Sequence, residues 1–154
     1  LDMIIDPNTR EETIRVVDYK TGKEATRNVA DVQTVFTRKD IGALHANYYL
    51  QAMLYSLIIR NDKQFNPRLL PVSPALLFIQ HSHREGYDPT LTFKKDKIES
   101  RISDIKNYED EFKNQLSLTI NEIFDASRPF YPTTDNANCT NCPYRQLCRM
   151  KRSF

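Results

Sequence analysis

Apolar and polar residues alternate along the start of the chain, which predicts two short strands. Residues 1–6 and 13–21 carry branched or long apolar side chains at alternate positions. Pro7 and Asn8, which lie between these two runs, are typical of a turn. The pattern therefore predicts an antiparallel hairpin with a polar tip. Residues 22–38 are polar and predict only a short extended piece at 32–37.

Residues 43–60 have the apolar period of a helix. Leucines cover a second side of this helix, so we expect it to be packed on most sides. One of its stripes contains Leu44, Tyr48, Gln51, Tyr55 and Ile58.

A continuous apolar run at 74–80 is typical of a strand buried on both faces. The order of strand, long helical connection and buried strand predicts a parallel pair joined by a right-handed crossover. His81 and His83 alternate just after this run and could contact a metal or a phosphate. Solvated histidines at a strand end are the more ordinary interpretation.

A second long helix is predicted over residues 96–126, with Asp96 as its N-cap. After residue 128 the chain becomes irregular and contains all three cysteines. We therefore expect a core over 1–128 and a cysteine-containing tail over 129–154. The apolar stripe of the predicted helix contains Ile98, Ile102, Ile105, Phe112, Leu116, Ile120 and Ile123.

Composition places the chain among ordinary globular domains, with 154 residues, 40% hydrophobic and 27% charged. No apolar run approaches the roughly 18 residues of a membrane span, and no signal-peptide pattern opens the chain. The net charge is +2, so nucleic-acid binding would need a local basic patch. Clustered cysteines favour a metal or cluster site in a reducing, cytoplasmic compartment over a disulfide framework.

The second predicted strand carries the strongest candidate chemistry. Asp18 and Lys20 share one of its faces, and Asp2 lies on the neighbouring strand. If the hairpin brings both carboxylates to one point, they could hold Mg²⁺ or Mn²⁺. Lys20 would then stabilise negative charge beside the metal or orient a water. On spacing alone, solvated strand-end acids are an equally good interpretation.

Gln51 and Tyr55 lie four residues apart and therefore on one helix face. An amide within an apolar stripe needs a hydrogen-bond partner. Either these side chains point at a metal or a DNA phosphate, or they are a satisfied core glutamine and a packed tyrosine.

In this order, Asp2, the run Asp18-Tyr19-Lys20-Thr21-Gly22 and the pair Gln51-x-x-x-Tyr55 resemble the RecB/AddB-type branch of the PD-(D/E)XK nuclease superfamily. The resemblance implies an α/β fold, namely a restriction-endonuclease-like mixed sheet flanked by helices. It also implies metal-dependent hydrolysis of DNA phosphodiester bonds, with Mg²⁺ or Mn²⁺ as cofactor.

By the same resemblance, Asp2 and Asp18 are metal ligands together with the Tyr19 backbone carbonyl. Lys20 is the catalytic lysine, and Gln51 with Tyr55 forms the helix motif of the site. The family core begins with a helix and a strand, so the chain is expected to enter at the second strand. That helix, that strand and a further metal ligand would lie upstream, as part of a longer polypeptide.

The spacing Cys139-x2-Cys142-x5-Cys148 resembles the C-terminal cysteine triplet of the same branch. There, an upstream cysteine supplies the fourth ligand of a four-iron, four-sulfur cluster. This chain has no fourth cysteine, so the fourth ligand lies elsewhere, the metal differs, or the chain binds none. A basic cluster that could follow a DNA backbone, or merely be a solvated tail, contains Arg145, Arg149, Lys151 and Arg152.

The resemblance finally implies an exonuclease-type domain that acts on DNA with a helicase subunit or domain in repair and recombination. One alternative is a CRISPR-associated exonuclease-like enzyme. Another, of a different class, is a non-catalytic DNA-binding module that keeps the nuclease fold.

Overall fold

A computed structural model describes residues 1–22, 29–37, 46–129, 139–140 and 142–148. The chain divides into two compact units, Leu1–Ile120 and Asn121–Phe154, which are described separately. The boundary expected from sequence, between residues 128 and 129, stays a prediction.

A mixed sheet forms the centre of the first unit. Strand β1 (Asp2–Ile5) pairs antiparallel with β2 (Glu12–Lys20), and β2 pairs in parallel with β3 (Val72–Phe78). The hairpin tip is fixed by the Asp6 carboxylate, which accepts hydrogen bonds from two backbone N–H groups of the turn. Both the predicted hairpin and the predicted parallel neighbour are confirmed.

Helix α1 (Val32–Phe36) occupies the segment for which an extended piece was predicted, and that prediction is wrong. The Asp31 side chain accepts hydrogen bonds from the N–H and the hydroxyl of Thr34, at 2.8 and 2.7 Å. This cap fixes the first helical turn. The turn then buries Val32 and Val35, which lie three residues apart on one face.

Helix α2 (Ala46–Asn61) confirms the predicted central helix over its described part, since residues 43–45 lie outside the described residues. The strand predicted at 74–80 is β3, which begins at Val72 and ends at Phe78. A 3-10 helix, Ile79–His81, then replaces the strand. His81 and His83 therefore do not alternate along a strand as expected.

The long helix predicted from Asp96 is wrong in its first part. A hairpin of β4 (Thr92–Lys95) and β5 (Ile98–Arg101) lies there instead, with Asp96 and Lys97 at φ of 49° and 69°. After a 3-10 helix, Ile105–Tyr108, helix α3 spans Glu109–Ile123. The apolar residues with helical spacing in the sequence thus belong mostly to three elements, a strand, a 3-10 helix and an α-helix. Their spacing by itself suggested one continuous helix.

One apolar core joins the sheet, the helices and the β4–β5 hairpin within the first unit. Helix α2 packs on β2 and β3. Phe93 of β4 stacks on Tyr49 of α2, and Phe112 of α3 packs edge-on against Phe36 of α1. Side chains of this core with less than 2% exposure include Phe78, Phe112, Met53, Ile102, Ile105, Val29, Val32 and Val72.

In the second unit, the described residues form the end of α3, a turn at Asp125 and a compact turn around the cysteines. No helix among the described residues of the chain has the length and apolar character needed to cross a membrane.

The Asp31 cap predicts a pH-dependent contribution to stability. The hydrogen bond from the Thr34 hydroxyl lowers the pKa of Asp31, and the Thr34 N–H and Lys95 act in the same direction against the effect of burial. Asp31→Ala should lower the free energy of unfolding by about 1 kcal/mol at neutral pH. Because the pKa is lowered in the folded state, this loss should shrink as the pH falls below about 4.

Urea unfolding at several pH values measures this effect, with Asp31→Asn as the matched control. Asparagine caps a helix as well as aspartate does, so it should keep most of the stability without the pH dependence. Equal losses in the two variants would contradict the capping role.

Candidate active site

The candidate site lies where the core face of β2 changes from apolar to charged. Ile14 and Val16 are buried on this face, and period-two geometry places Asp18 and Lys20 on the same face, toward the strand end. Lys20 Nζ lies 2.8 Å from Asp18 Oδ2, and the two side chains are only 16% and 18% exposed. An ion pair therefore lies at the margin of the apolar core.

Helix α2 adds two of the predicted residues to this pair. Lys20 Nζ donates a hydrogen bond to Gln51 Oε1 at 3.3 Å, and Gln51 Nε2 donates to the Tyr55 hydroxyl at 3.2 Å. The geometry thus joins Asp18, Lys20, Gln51 and Tyr55 in one continuous polar chain. Gln51 meets its need for a partner by contacting the charged pair.

Tyr48 completes the surroundings of the lysine and was not singled out from the sequence. Lys20 Nζ lies 4.1 Å from the centroid of the Tyr48 ring, a cation–π contact. The available signal was its position three residues before Gln51 on the same helical stripe. Three different groups, a carboxylate, an amide and an aromatic face, therefore hold the Lys20 ammonium in place.

Asp18 Oδ2 is buried and makes no hydrogen bond within the described residues. Lys20 Nζ is at ion-pair distance from this oxygen, although not in hydrogen-bonding geometry. An ionised carboxylate has about four lone-pair sites. Asp18 thus keeps unused acceptor capacity beside a fixed cation, which fits the oxygen ligand of a hard divalent metal.

The structure does not bring Asp2 to Asp18, which corrects the convergence expected from sequence. Asp2 is paired with Arg15 across the hairpin, and its carboxylate accepts a hydrogen bond from Arg15 Nη2 at 2.7 Å. Directly opposed residues share a sheet face, and Arg15 and Asp18 are an odd number of positions apart. The two carboxylates therefore lie on opposite faces of the sheet, and a ligand role for Asp2 stays a prediction.

Asp2 belongs instead to a charged cluster on the far face. Arg15 also lies 3.9 Å from Asp88 Oδ1, while Arg101 Nη2 lies 2.7 Å from Asp88 Oδ2. Partial burial acts to raise the pKa of Asp88, but hydrogen bonds from Thr90 and the charges of Arg101 and Arg15 outweigh it and lower that pKa. The cluster links β1 and β2 to the β4–β5 hairpin.

The cysteine tail forms its own compact turn. The Cys142 N–H donates to the Cys139 carbonyl at 3.3 Å, and the Cys148 N–H donates to the Tyr144 carbonyl at 3.2 Å. Of the predicted basic cluster, Arg145 is described within this turn, and Arg149, Lys151 and Arg152 lie outside the described residues. Within the described part of the chain, no three His, Cys, Asp or Glu side chains are grouped as a metal site requires.

Comparison with known proteins identifies the family. The model of the PD-(D/E)XK nuclease superfamily matches residues 1–149, so the chain belongs to this superfamily. The mixed sheet with its helices agrees with the restriction-endonuclease-like fold, and the predicted fold class is confirmed. Searches of curated proteins and of solved structures give no match. The family match does not single out the RecB/AddB-type branch, which stays a prediction.

The superfamily consists of nucleases that generally depend on divalent metal ions, and its membership implies a DNA substrate. The match thus supports the broader part of the functional prediction, namely a metal-dependent nuclease.

The ion pair at the site predicts strong coupling between its two members. Lys20→Met should lower the free energy of unfolding by about 1–3 kcal/mol, because it leaves the poorly exposed Asp18 carboxylate without its cation. Adding Asp18→Asn should recover part of that loss. Urea unfolding of both single variants and the double variant, without divalent metal, measures the coupling.

Lys63→Met is the control for this cycle, because Lys63 is exposed in a loop. Its stability should stay within about 0.5 kcal/mol of the wild type. Strictly additive effects of Lys20→Met and Asp18→Asn would contradict the coupling.

Proposed function

We propose that the chain provides the catalytic centre of an exonuclease-type domain that hydrolyses DNA phosphodiester bonds with Mg²⁺ or Mn²⁺. The observation that carries the proposal is the buried Asp18 Oδ2, which has no hydrogen bond within the described residues and lies 2.8 Å from Lys20 Nζ. Membership of the nuclease superfamily supports it.

Asp18 would hold the metal, together with the backbone carbonyl of Tyr19 that the family resemblance adds. When bound, a divalent ion lowers the pKa of a coordinated water and stabilises negative charge on a phosphoryl oxygen. Asp18 can accept such an ion without leaving Lys20, because a carboxylate has two oxygens and several lone pairs.

Lys20 supplies a fixed positive charge at the reacting centre. Its ammonium is positioned before substrate arrives, so it can stabilise charge on the phosphate without reorganising. Gln51 fixes the second side of this ammonium, and Tyr55 in turn fixes the Gln51 amide. Gln51 and Tyr55 thus act as positioning residues in this proposal.

Asp2 can act as a second ligand only if its carboxylate leaves Arg15. The Arg15 side chain of that pair is only 20% exposed and the Asp2 side chain 49%. Asp2 also lies on the opposite face of the sheet from Asp18, so a ligand role would require a change in the pairing of β1 as well. The test below includes this role.

The proposal predicts metal-dependent cleavage of linear DNA by the chain, or by the longer protein that contains it. Cleavage should require Mg²⁺ or Mn²⁺ and stop with chelator. Asp18→Asn and Lys20→Met should each lower kcat by about 100-fold or more, because each removes a charge aimed at the reacting centre. Gel assays on end-labelled linear DNA measure cleavage, and electron paramagnetic resonance measures the affinity for Mn²⁺.

Asp110→Asn and Lys63→Met are matched controls that change the same residue types at exposed positions, and both should cleave normally. Asp2→Asn should weaken Mn²⁺ binding if Asp2 is a ligand and leave it unchanged if Asp2 stays with Arg15. Undiminished cleavage by the Asp18→Asn and Lys20→Met variants would refute the catalytic assignment. DNA binding without any cleavage by the wild type would instead indicate the non-catalytic module.

We also propose, from the sequence pattern, that Cys139, Cys142 and Cys148 bind a four-iron, four-sulfur cluster with a fourth ligand from outside this sequence. The three cysteines lie within ten residues of one another, and backbone hydrogen bonds fold this segment into turns. The described geometry does not group the three thiols as metal ligands. A helicase subunit or domain is the proposed partner, and DNA repair is the proposed context.

The cluster proposal predicts a brown protein after anaerobic preparation of the full-length polypeptide. Iron and sulfide should be present in equal amounts, with broad visible absorbance, since cysteine-held clusters absorb in this way. Cys142→Ser should remove most of both, whereas Ser103→Cys, an added exposed thiol, should not raise them. Zinc in place of iron would show that the metal differs.

A further inference from the structure

A cavity of about 540 Å³ lies at the carboxyl end of β3, outside the residues assigned to the active site. Phe78, which lines it, is the parallel-register partner of Lys20. Neighbouring strands are about 4.8 Å apart, so the cavity begins one strand away from the catalytic lysine, at the same edge of the sheet. Residues of its wall that carry the inference are Phe78, His81, Arg84, Tyr87, Thr90 and Lys94.

Aromatic rings form part of the cavity wall and are held rigidly. The Tyr87 hydroxyl accepts a hydrogen bond from the Phe78 N–H at 3.0 Å and donates one to the Leu76 carbonyl at 3.3 Å. The His81 ring stands perpendicular to the Tyr87 ring, with centroids 6.4 Å apart, and lies 6.4 Å from the Phe78 ring. Phe78 itself is buried, whereas Tyr87 and His81 are partly exposed, so a planar ring would pack against these two at low entropic cost.

The charges around the cavity favour an anion. Its two acidic residues are both paired: Glu99 Oε1 lies 2.7 Å from Lys94 Nζ, and Asp88 is paired with Arg101 and Arg15. Arg84 is exposed, and its guanidinium makes no ion pair within the described residues. The wall holds two basic and two acidic side chains, so its formal charges cancel, and Arg84 is the basic group left to bind an anion.

We propose that this cavity binds one nucleotide of a single DNA strand, with the base against the aromatic wall and a phosphate at Arg84. Its volume lies within the usual range of ligand sites, about 300–1,000 Å³. The inference rests on the proposed nuclease function, since it places this nucleotide beside the phosphodiester held at Asp18 and Lys20. A base packs against side chains in this way only when it is unpaired, so the substrate class is a single strand or a frayed end.

Binding of a fluorescein-labelled oligothymidylate by the full chain, measured by anisotropy in chelator, tests the proposal without cleavage. Arg84→Gln should weaken binding by about fivefold and reduce the slope of log affinity against log salt by about 0.7, the value for one phosphate contact on a single strand. Arg10→Gln is the matched control, because Arg10 lies at the hairpin tip, by the opposite end of β2. It should change neither quantity.

A second variant tests the base contact. His81→Ala should weaken binding of oligothymidylate by more than it weakens binding of an abasic strand of equal length, because only the first offers a base to the ring. Preference for duplex over single strand, or binding of free thymidine monophosphate but not of the oligonucleotide, would overturn the proposal. So would an Arg84→Gln variant that binds with unchanged affinity and salt dependence.

The two proposals fail in different ways. Strand binding that depends on Arg84, in a protein that never cleaves DNA, would support the nucleotide site and refute the nuclease centre. Cleavage that depends on Asp18 and Lys20, with strand binding indifferent to Arg84, would refute the nucleotide site alone.

Discussion

The parallel pairing of β2 with β3 is the constraint on which the rest of the structure depends. It fixes the face on which each side chain of β2 lies, so that Ile14 and Val16 enter the core while Asp18 and Lys20 reach its margin. Helix α2 packs on that face and supplies Gln51 at hydrogen-bonding distance from Lys20. The same pairing sets Phe78 beside Lys20. One register thus places the catalytic candidates and the neighbouring cavity together.

The Asp18–Lys20 pair is a costly element of this core. Partly buried charges lose hydration, and their mutual attraction offsets that loss only in good geometry with further hydrogen bonds. Here, Lys20 has Gln51 and Tyr48 as additional partners, whereas Asp18 Oδ2 has no hydrogen bond within the described residues. Arg15 Nε and Arg60 Nε are also buried without a hydrogen bond among the described residues, but of these atoms only Asp18 Oδ2 is an acceptor that could bind a cation.

Sequence patterns predicted the hairpin, helix α2 and strand β3, because each rests on strong periodicity. The grouping of Lys20 with Gln51 was implied only by the family resemblance, since periodicity left a satisfied core glutamine as an alternative. The patterns failed where a competing local signal decided the structure. The Asp31 cap turns 32–36 into a helix, and left-handed backbone at Asp96 and Lys97 makes a hairpin inside an apparent helical stripe. Asp2 was misplaced because a shift of one residue in register moves a side chain to the other face, which composition cannot reveal.

Tyr87 has a consequence for how the sheet can associate. The backbone of residues 89–91 pairs with β3 as far as the Leu76 N–H. The Tyr87 hydroxyl then donates a hydrogen bond to the Leu76 carbonyl and accepts one from the Phe78 N–H. A side chain thereby finishes the hydrogen bonding that a further strand would otherwise provide. Exposed edges invite strand addition and aggregation, so this side of the described sheet is protected. Growth of the sheet by another strand is directed to β1, where Met3 and Ile5 are half exposed.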